Sequence, residues 1–213
     1  MLNRKPLLIA AAAAATVLAL SACTTDGDDT TTATETTTTA TTSVVDETGT
    51  DTPAETGEHS EADVMFAQMM LPHHEQAIEM SDIILAKDGI PQEVTQLAEE
   101  IKAAQGPEIE QLTEWLDQWG EPTEPQGGHD GHDMAEMDGM LSDEELQQLS
   151  DAEGTDAARL FLEQMIAHHE GAITMAEDEV ADGTYPPAVD LAQTIIDTQQ
   201  QEIDTMRDLL DSL

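Results

Sequence analysis

The sequence predicts an all-α protein, a four-helix bundle made of two repeated helical hairpins behind a disordered N-terminal tether. Three observations predict this fold class. The motif M-x-x-H-H-E-x-A-I-x-M occurs at residues 70–80 and again at 165–175. Apolar residues around both copies recur at helical spacing, and the segment before residue 62 contains almost nothing to bury. Neither repeat can bury its own apolar stripe, so the two copies are expected to pack against each other.

Residues 1–22 are typical of a bacterial lipoprotein signal peptide. Arg4 and Lys5 precede an apolar, Ala-rich run that is short for a membrane span, and the run ends in L-S-A-C. This ending resembles a lipobox, which predicts cleavage before Cys23 and lipid attachment to its sulfur. Cys23 is the only cysteine, so no disulfide or thiolate metal site is expected. A plain signal peptide with an incidental cysteine is the alternative.

Residues 23–61 are rich in Thr, Asp and Glu and are expected to form a disordered tether that holds the domain away from the membrane. The whole chain has 6 Lys and Arg against 46 Asp and Glu, a formal net charge of −40. Such a charge argues against nucleic acid or an anionic membrane surface as a partner. We expect a lipid-anchored protein on the outer face of the bacterial cytoplasmic membrane or at another extracytoplasmic site.

The bundle domain is predicted at 62–213, with its first hairpin at about 62–120. The first helix is expected from near Asp63 to Ala86, and the second from after Pro91 to Gly120. Pro72 lies inside the first helix and predicts a bend beside His73. The two inward stripes are Phe66, Met70, His73, Ala77, Met80 and Ile84, and then Leu97, Ile101, Ala104, Glu108, Leu112, Trp115 and Trp119.

The second hairpin is predicted at about 155–213, after a connector at 121–154. Ser142 and Glu145 form a capping-box pattern, which predicts a short helix within this connector. The stripes of the second hairpin are Phe161, Met165, His168, Ala172 and Met175, and then Leu191, Ile195, Thr198, Glu202, Met206 and Leu209.

Ionisable residues stand at the centre of these apolar stripes. His73 and His168 are central on the first helix of each hairpin, and Glu108 and Glu202 on the second. Burying such groups is costly unless they pair with one another or bind a cation. One interpretation is a His–Glu hydrogen bond in each hairpin that only fixes packing. The paired histidines in both repeats favour a metal site instead.

Methionines near these histidines favour copper over iron. Met70 and Met165 stand three residues before His73 and His168, where a di-iron bundle would have a carboxylate, and thioethers suit Cu(I). His74 and His169 are expected on the flank of the stripe, near the rim. The predicted ligands are Met70, His73, His74, Met80, Glu108, Met165, His168, His169, Met175 and Glu202. A weaker accessory set in the connector comprises His129, His132, Met134, Met137 and Met140.

These motifs resemble the domain of unknown function 305 family of bacterial proteins. The resemblance is carried by the two His-His motifs, by Q-x-x-E-I at 105–109 and 199–203, and by G-M-L-S-D-E-E-L at 139–146. It covers about 62–213 and implies a ferritin-like bundle, usually secreted or lipid-anchored, with some members linked to copper binding and resistance. The family positions carry over to Met70, His73, His74, Met80, Met165, His168, His169 and Met175.

The function predicted from these features is extracytoplasmic copper binding, as Cu(I) or Cu(II), for sequestration or transfer. One alternative is a ferritin-like metal oxidase, which the small number of inward carboxylates disfavours. The other is a structural or partner-binding bundle without metal, in which the His–Glu pairs specify packing.

Overall fold

The computed structural model of the protein describes residues 58–124 and 137–213. The predicted signal peptide, Cys23 and nearly all of the predicted tether lie outside the described residues. The same holds for the first three members of the accessory set, His129, His132 and Met134.

Five helices make up the described part of the chain, which contains no strand, so the all-α prediction is confirmed. Four of the helices are long and pair as two hairpins, α1 with α2 and α4 with α5. The fifth is the short helix predicted from the capping box. Their bounds are α1 Glu61–Leu85, α2 Gln92–Trp119, α3 Asp143–Asp151, α4 Gly154–Asp182 and α5 Pro186–Ser212.

Local sequence signals set several of the helix ends. Ser142 and Glu145 form the predicted capping box at the start of α3, and Ser60 with Asp63 forms another at the start of α1. Gly120 closes α2 in the left-handed conformation, with φ of 74°. Pro72 lies within α1, which continues beyond it to Leu85.

Two separate apolar clusters fill the core, and the order in which each helix enters them fixes the topology. One cluster takes the C-terminal half of α1, the N-terminal halves of α2 and α4, and the C-terminal part of α5; the other takes the opposite halves. Helices α1 and α5 therefore run one way, and α2 and α4 run the other. The connector must cross the length of the bundle, as in ferritin-like folds with one long crossover.

A polar layer crosses the bundle between the two apolar clusters. On every long helix, the residues that interrupt the apolar series at this level are polar, and none belongs to either cluster. The layer is therefore built from all four long helices. We define the polar layer as His73, His74, Gln105, Glu108, His168, His169, Gln199 and Glu202.

The connector is fixed to the bundle close to this layer. Gln76 on α1 donates its amide to the Leu141 carbonyl at 2.9 Å and accepts from the Leu141 backbone N–H at 2.8 Å. Gly139 and Gly171 pack backbone to backbone, and a Cβ on Gly171 would overlap the carbonyl of Asp138. The connector thus lies against both α1 and α4.

Among the described helices, none has the length and apolarity needed to cross a membrane.

Candidate metal centre

His73 and His168 form the centre of the polar layer. Their ring centroids lie 3.7 Å apart with the planes tilted by 39°, and the residues are 0% and 1% exposed. None of their four ring nitrogens has a hydrogen-bond partner among the described residues. A buried polar atom left unpaired costs about 1–3 kcal/mol, so this pair is expensive to maintain without a ligand.

His74 and His169 are fully buried, and their predicted position at the rim is wrong. His74 Nε2 lies 2.7 Å from Glu108 Oε2, and His169 Nε2 lies 2.6 Å from Glu202 Oε2. The flank of each motif helix faces the partner helix of its own hairpin instead of solvent. The two glutamates pair with these outer histidines and keep side-chain exposures of 16% and 19%.

Each glutamate also selects the tautomer of its histidine. A carboxylate can only accept a hydrogen bond, so a neutral ring must carry its hydrogen on Nε2. The lone pair then lies on Nδ1, and in both His74 and His169 this atom has no hydrogen-bond partner within the part of the chain that the structure describes. A carboxylate behind a histidine is the usual support of a metal-binding imidazole. The arrangement leaves one unpaired nitrogen on each outer histidine, in addition to the four of the central pair.

Gln105 and Gln199 complete the polar layer, and sequence reasoning assigned them no role. Both are 2% exposed. Among the described residues, Gln105 lacks partners for both side-chain polar atoms and Gln199 for its amide oxygen. The signal that could have identified them was their position three residues before Glu108 and Glu202, which places each pair on one helix face. Their amides add further unpaired groups at the same level.

The four predicted methionine ligands lie at different distances from the layer. Met70 and Met165 are fully buried one turn from the central histidines, each in a different apolar cluster. Met80 and Met175 follow the histidines by seven residues, about 10 Å along the helix axis at roughly 1.5 Å per residue. Met80 is buried, and Met175 is only partly buried. The fold therefore places Met70 and Met165 nearest the layer.

Burial keeps the central histidines neutral. It lowers the pKa of His73 from 6.5 to about 3, with further lowering by the neighbouring His74 and His169 rings. Burial and the adjacent rings likewise hold the pKa of His168 well below its ordinary value. The nearby backbone of Asp138 raises the pKa of His73 and so offsets part of this lowering. Its geometry does not amount to a hydrogen bond with the ring. Neutral imidazole is the form that binds metals, so these nitrogens stay available below neutral pH.

The layer is not a ready-made metal cage. Within residues 58–124 and 137–213, no three His, Cys, Asp or Glu side chains are arranged to hold one ion. The central rings lie against each other at a tilt of 39°, and each outer histidine turns one nitrogen towards its glutamate. The donor set nevertheless fits a soft or borderline metal, since it combines unpaired imidazole nitrogens with two thioethers nearby. Small rotations of the rings would be needed to direct several nitrogens at one point.

The fold and the layer define an all-α bundle with a histidine-rich polar centre between two apolar clusters. The family model described as Domain of unknown function (DUF305) matches residues 63–210, and the chain belongs to this family. No curated protein matches the chain.

Solved structures of related proteins share this fold. A DUF305 fragment from Deinococcus radiodurans is 34% identical, with a TM-score of 0.64, and the match covers 72% of this chain and 98% of that one. A presumed secreted DUF305 protein from Streptomyces coelicolor is also 34% identical, with a TM-score of 0.64 and coverages of 71% and 91%. CopM in its Cu(II)-bound form is 32% identical, with a TM-score of 0.59 and coverages of 70% and 96%. CopM has also been solved in Cu(I)-bound, Ag-bound and apo forms.

Proposed function

We propose that this protein binds copper outside the cytoplasm and sequesters it or passes it on. The observation that carries the proposal is the set of six unpaired imidazole nitrogens in the polar layer, contributed by four buried histidines. A core that keeps so many unpaired polar atoms has an energetic reason to accept a cation. A bound metal ion would give these nitrogens a partner and remove the free-energy cost of leaving them unpaired.

The donor chemistry favours copper over harder metals. Imidazole and thioether groups suit copper, whereas Mg²⁺ and Mn²⁺ prefer carboxylate and carbonyl oxygens. The layer contains only two carboxylates, Glu108 and Glu202, and each is hydrogen-bonded to a histidine. The related CopM has been solved with Cu(I), Cu(II) and Ag, which supports the same class of ion here.

In this proposal the residues have separate roles. His73 and His168 supply the central nitrogens, and His74 and His169 add the Nδ1 atoms that the glutamates leave free. Met70 and Met165 are the nearest thioethers, while Met80 and Met175 belong to the predicted set but lie farther along their helices. Glu108 and Glu202 orient the outer histidines, and ring rotation would adapt the donors to the ion.

The location outside the cytoplasm is supported by the secreted designation of the Streptomyces coelicolor relative. Lipid attachment at Cys23 remains a prediction from the L-S-A-C sequence. The accessory metal set also remains a prediction. Its described members Met137 and Met140 are partly buried where the connector lies against the bundle.

The second candidate function is a structural or partner-binding bundle, and the two His–Glu hydrogen bonds favour it. Each bond ties the helices of one hairpin together at 2.6–2.7 Å, which is the packing role expected of such pairs. This function does not account for the unpaired nitrogens of His73 and His168. Copper-dependent stability separates the two candidates.

Copper binding is tested by titrating the purified protein with Cu(I) under anaerobic, reducing conditions against a competing chelator. The His73→Ala/His168→Ala variant should bind at least roughly 10–100-fold more weakly than the wild type. The His59→Ala variant, which loses an imidazole outside both predicted ligand sets, serves as the control. Equal affinity in the wild type and the core variant would refute the proposal.

Thermal unfolding provides a second readout of the same proposal. A ligand that binds only the native state stabilises it by about 2.7 kcal/mol when present at 100 times its Kd. Cu(I) should therefore raise the Tm of the wild type more than that of the core variant, because roughly 10–100-fold weaker binding lowers the stabilisation to about 0.4–1.4 kcal/mol at the same Cu(I) concentration. An unchanged wild-type Tm would favour the structural candidate.

A further inference from the structure

The polar layer has a continuous series of polar groups leading to it from the protein surface. On the second hairpin, Glu202 keeps 19% side-chain exposure and its Oε2 lies 2.6 Å from His169 Nε2. The His169 ring lies 6.4 Å from the His168 ring, which lies 3.7 Å from the His73 ring, centroid to centroid. The series starts at a carboxylate in contact with water and ends at buried, unpaired nitrogens.

The first hairpin repeats the start of this series. Glu108 keeps 16% side-chain exposure and its Oε2 lies 2.7 Å from Nε2 of the fully buried His74. Both glutamates lie on the second helix of their hairpin. Helix α1 packs against α2 and α4, and α4 packs against α5, but α2 and α5 make no comparable contact with each other along their described lengths. The two carboxylates therefore lie on helices that pack mainly against the first helix of their own hairpin.

The face formed by α1 and α4 is covered by the connector. The Asp138–Gly139 backbone packs directly on Gly171, and Gly139 approaches so closely that a Cβ there would lie 2.7 Å from the Ala167 carbonyl oxygen. The two hydrogen bonds between Gln76 and Leu141 hold the same segment on α1. Within residues 58–124 and 137–213, Glu108 and Glu202 are the members of the layer that keep partial exposure, so the carboxylate side is the approach to it that these residues offer.

We propose that Glu108 and Glu202 are entry sites for the metal ion: each captures a cation from solvent and passes it to the histidine behind it. This inference rests on the proposed copper-binding function and adds the route by which the ion arrives. The buried rings behind each carboxylate hold nitrogens without partners among the described residues, which can receive the ion. A charged group at the mouth of a low-dielectric site raises the local cation concentration and the association rate.

In the capture step the carboxylate would take up the cation at its exposed side while its Oε2 keeps the hydrogen bond from Nε2 of the histidine. Because the hydrogen is on Nε2, the Nδ1 lone pair is free to accept the ion, which would then move inward to the central rings. No electron or covalent bond is transferred in this step.

The test compares loading rates in variants that remove charge but keep a hydrogen-bond acceptor. Glu108→Gln/Glu202→Gln retains an amide oxygen for each histidine, and Glu75→Gln/Glu110→Gln removes the same charge from exposed positions on α1 and α2. Cu(I) is supplied anaerobically as its acetonitrile complex, and stopped-flow quenching of tryptophan fluorescence reports loading. Circular dichroism melts establish that each variant is folded.

The entry-site variant should load about tenfold more slowly than the wild type, with unchanged final stoichiometry, and the surface control should remain within about twofold. Glu108→Asp/Glu202→Asp keeps the charge and should recover most of the rate. Equal rates in the entry-site variant and the surface control would overturn the inference. So would an unchanged association rate with faster dissociation, because the carboxylates would then hold the bound ion instead of admitting it. Failure of the wild type to bind Cu(I) at all would refute the copper-binding function itself.

Discussion

A buried pair of carboxyl groups should make the stability of this bundle depend on pH. Asp63 accepts hydrogen bonds from Ser60, Thr184 and Tyr185, and these outweigh its burial and lower its pKa. Glu179 lies beside it, 1% exposed, with no hydrogen-bond donor among the described residues. Burial and the neighbouring Asp63 raise the pKa of Glu179 from 4.5 to about 8. The stable form at neutral pH is a protonated Glu179 that donates to Asp63.

The sign and size of the effect follow from proton linkage. Between pH 4.5 and 8, Glu179 holds its proton in the folded state and has lost it in the unfolded state. Its contribution to stability is therefore complete below pH 4.5 and is lost as the pH rises to about 8. For a folded pKa of about 8, the free energy of unfolding should fall by about 1 kcal/mol between pH 7 and 8 and by about 0.4 kcal/mol more between pH 8 and 9. His73 and His168 contribute little between pH 7 and 9, because they are neutral in the folded state and mostly neutral in the unfolded state.

Urea unfolding at pH 7, 8 and 9, followed by tryptophan fluorescence, measures this slope directly. Trp115 and Trp119 both contact Tyr185 at the same end of the bundle, so they report on unfolding of this region. The Glu179→Gln variant should lose the slope, because its amide can donate to Asp63 at any pH. Glu177→Gln, at an exposed position on the same helix, should keep it. Equal slopes in the wild type and Glu179→Gln would refute the assignment of the proton to Glu179.

Three further predictions concern the polar layer and the connector. Copper-free protein should lose stability as the pH falls from 6.5 towards 3, because in this range His73 is neutral in the folded state and protonated in the unfolded state. Urea unfolding of the wild type and of the His73→Ala variant across this range measures how much of the pH dependence is due to His73. Gly171→Ala should displace the connector, since its Cβ would overlap the Asp138 carbonyl, and a Tm equal to that of the wild type would contradict this packing. Gln76→Ala should lower the free energy of unfolding in urea by roughly 1–3 kcal/mol, because it removes two buried hydrogen bonds. The control Gln147→Ala, at an exposed position, should leave the free energy of unfolding almost unchanged.

Much of the fold was determined by local sequence patterns. The 4–3 spacing of apolar residues, the repeated motif and the turn signals at Gly120 and Ser142 each act within one helix or one turn. They therefore predicted the four long helices, their pairing into hairpins and the short connector helix. The residue types in the repeats also indicated candidate metal ligands, among them His73 and Glu108.

What the sequence could not determine was which neighbour each polar side chain meets. His74 lies on the flank of its stripe, and whether a flank faces water or another helix depends on how the hairpin closes. Packing against α2 buried it and gave it Glu108 as a partner, which left His73 to meet His168 of the other hairpin. The Asp63–Glu179 pair has no local signal either, because the two residues approach only when α1 meets the α4–α5 turn. Short-range sequence patterns determined the helices and the candidate ligands. Tertiary packing determined the partners, the burial and the altered pKa values, because these depend on contacts between segments far apart in the chain.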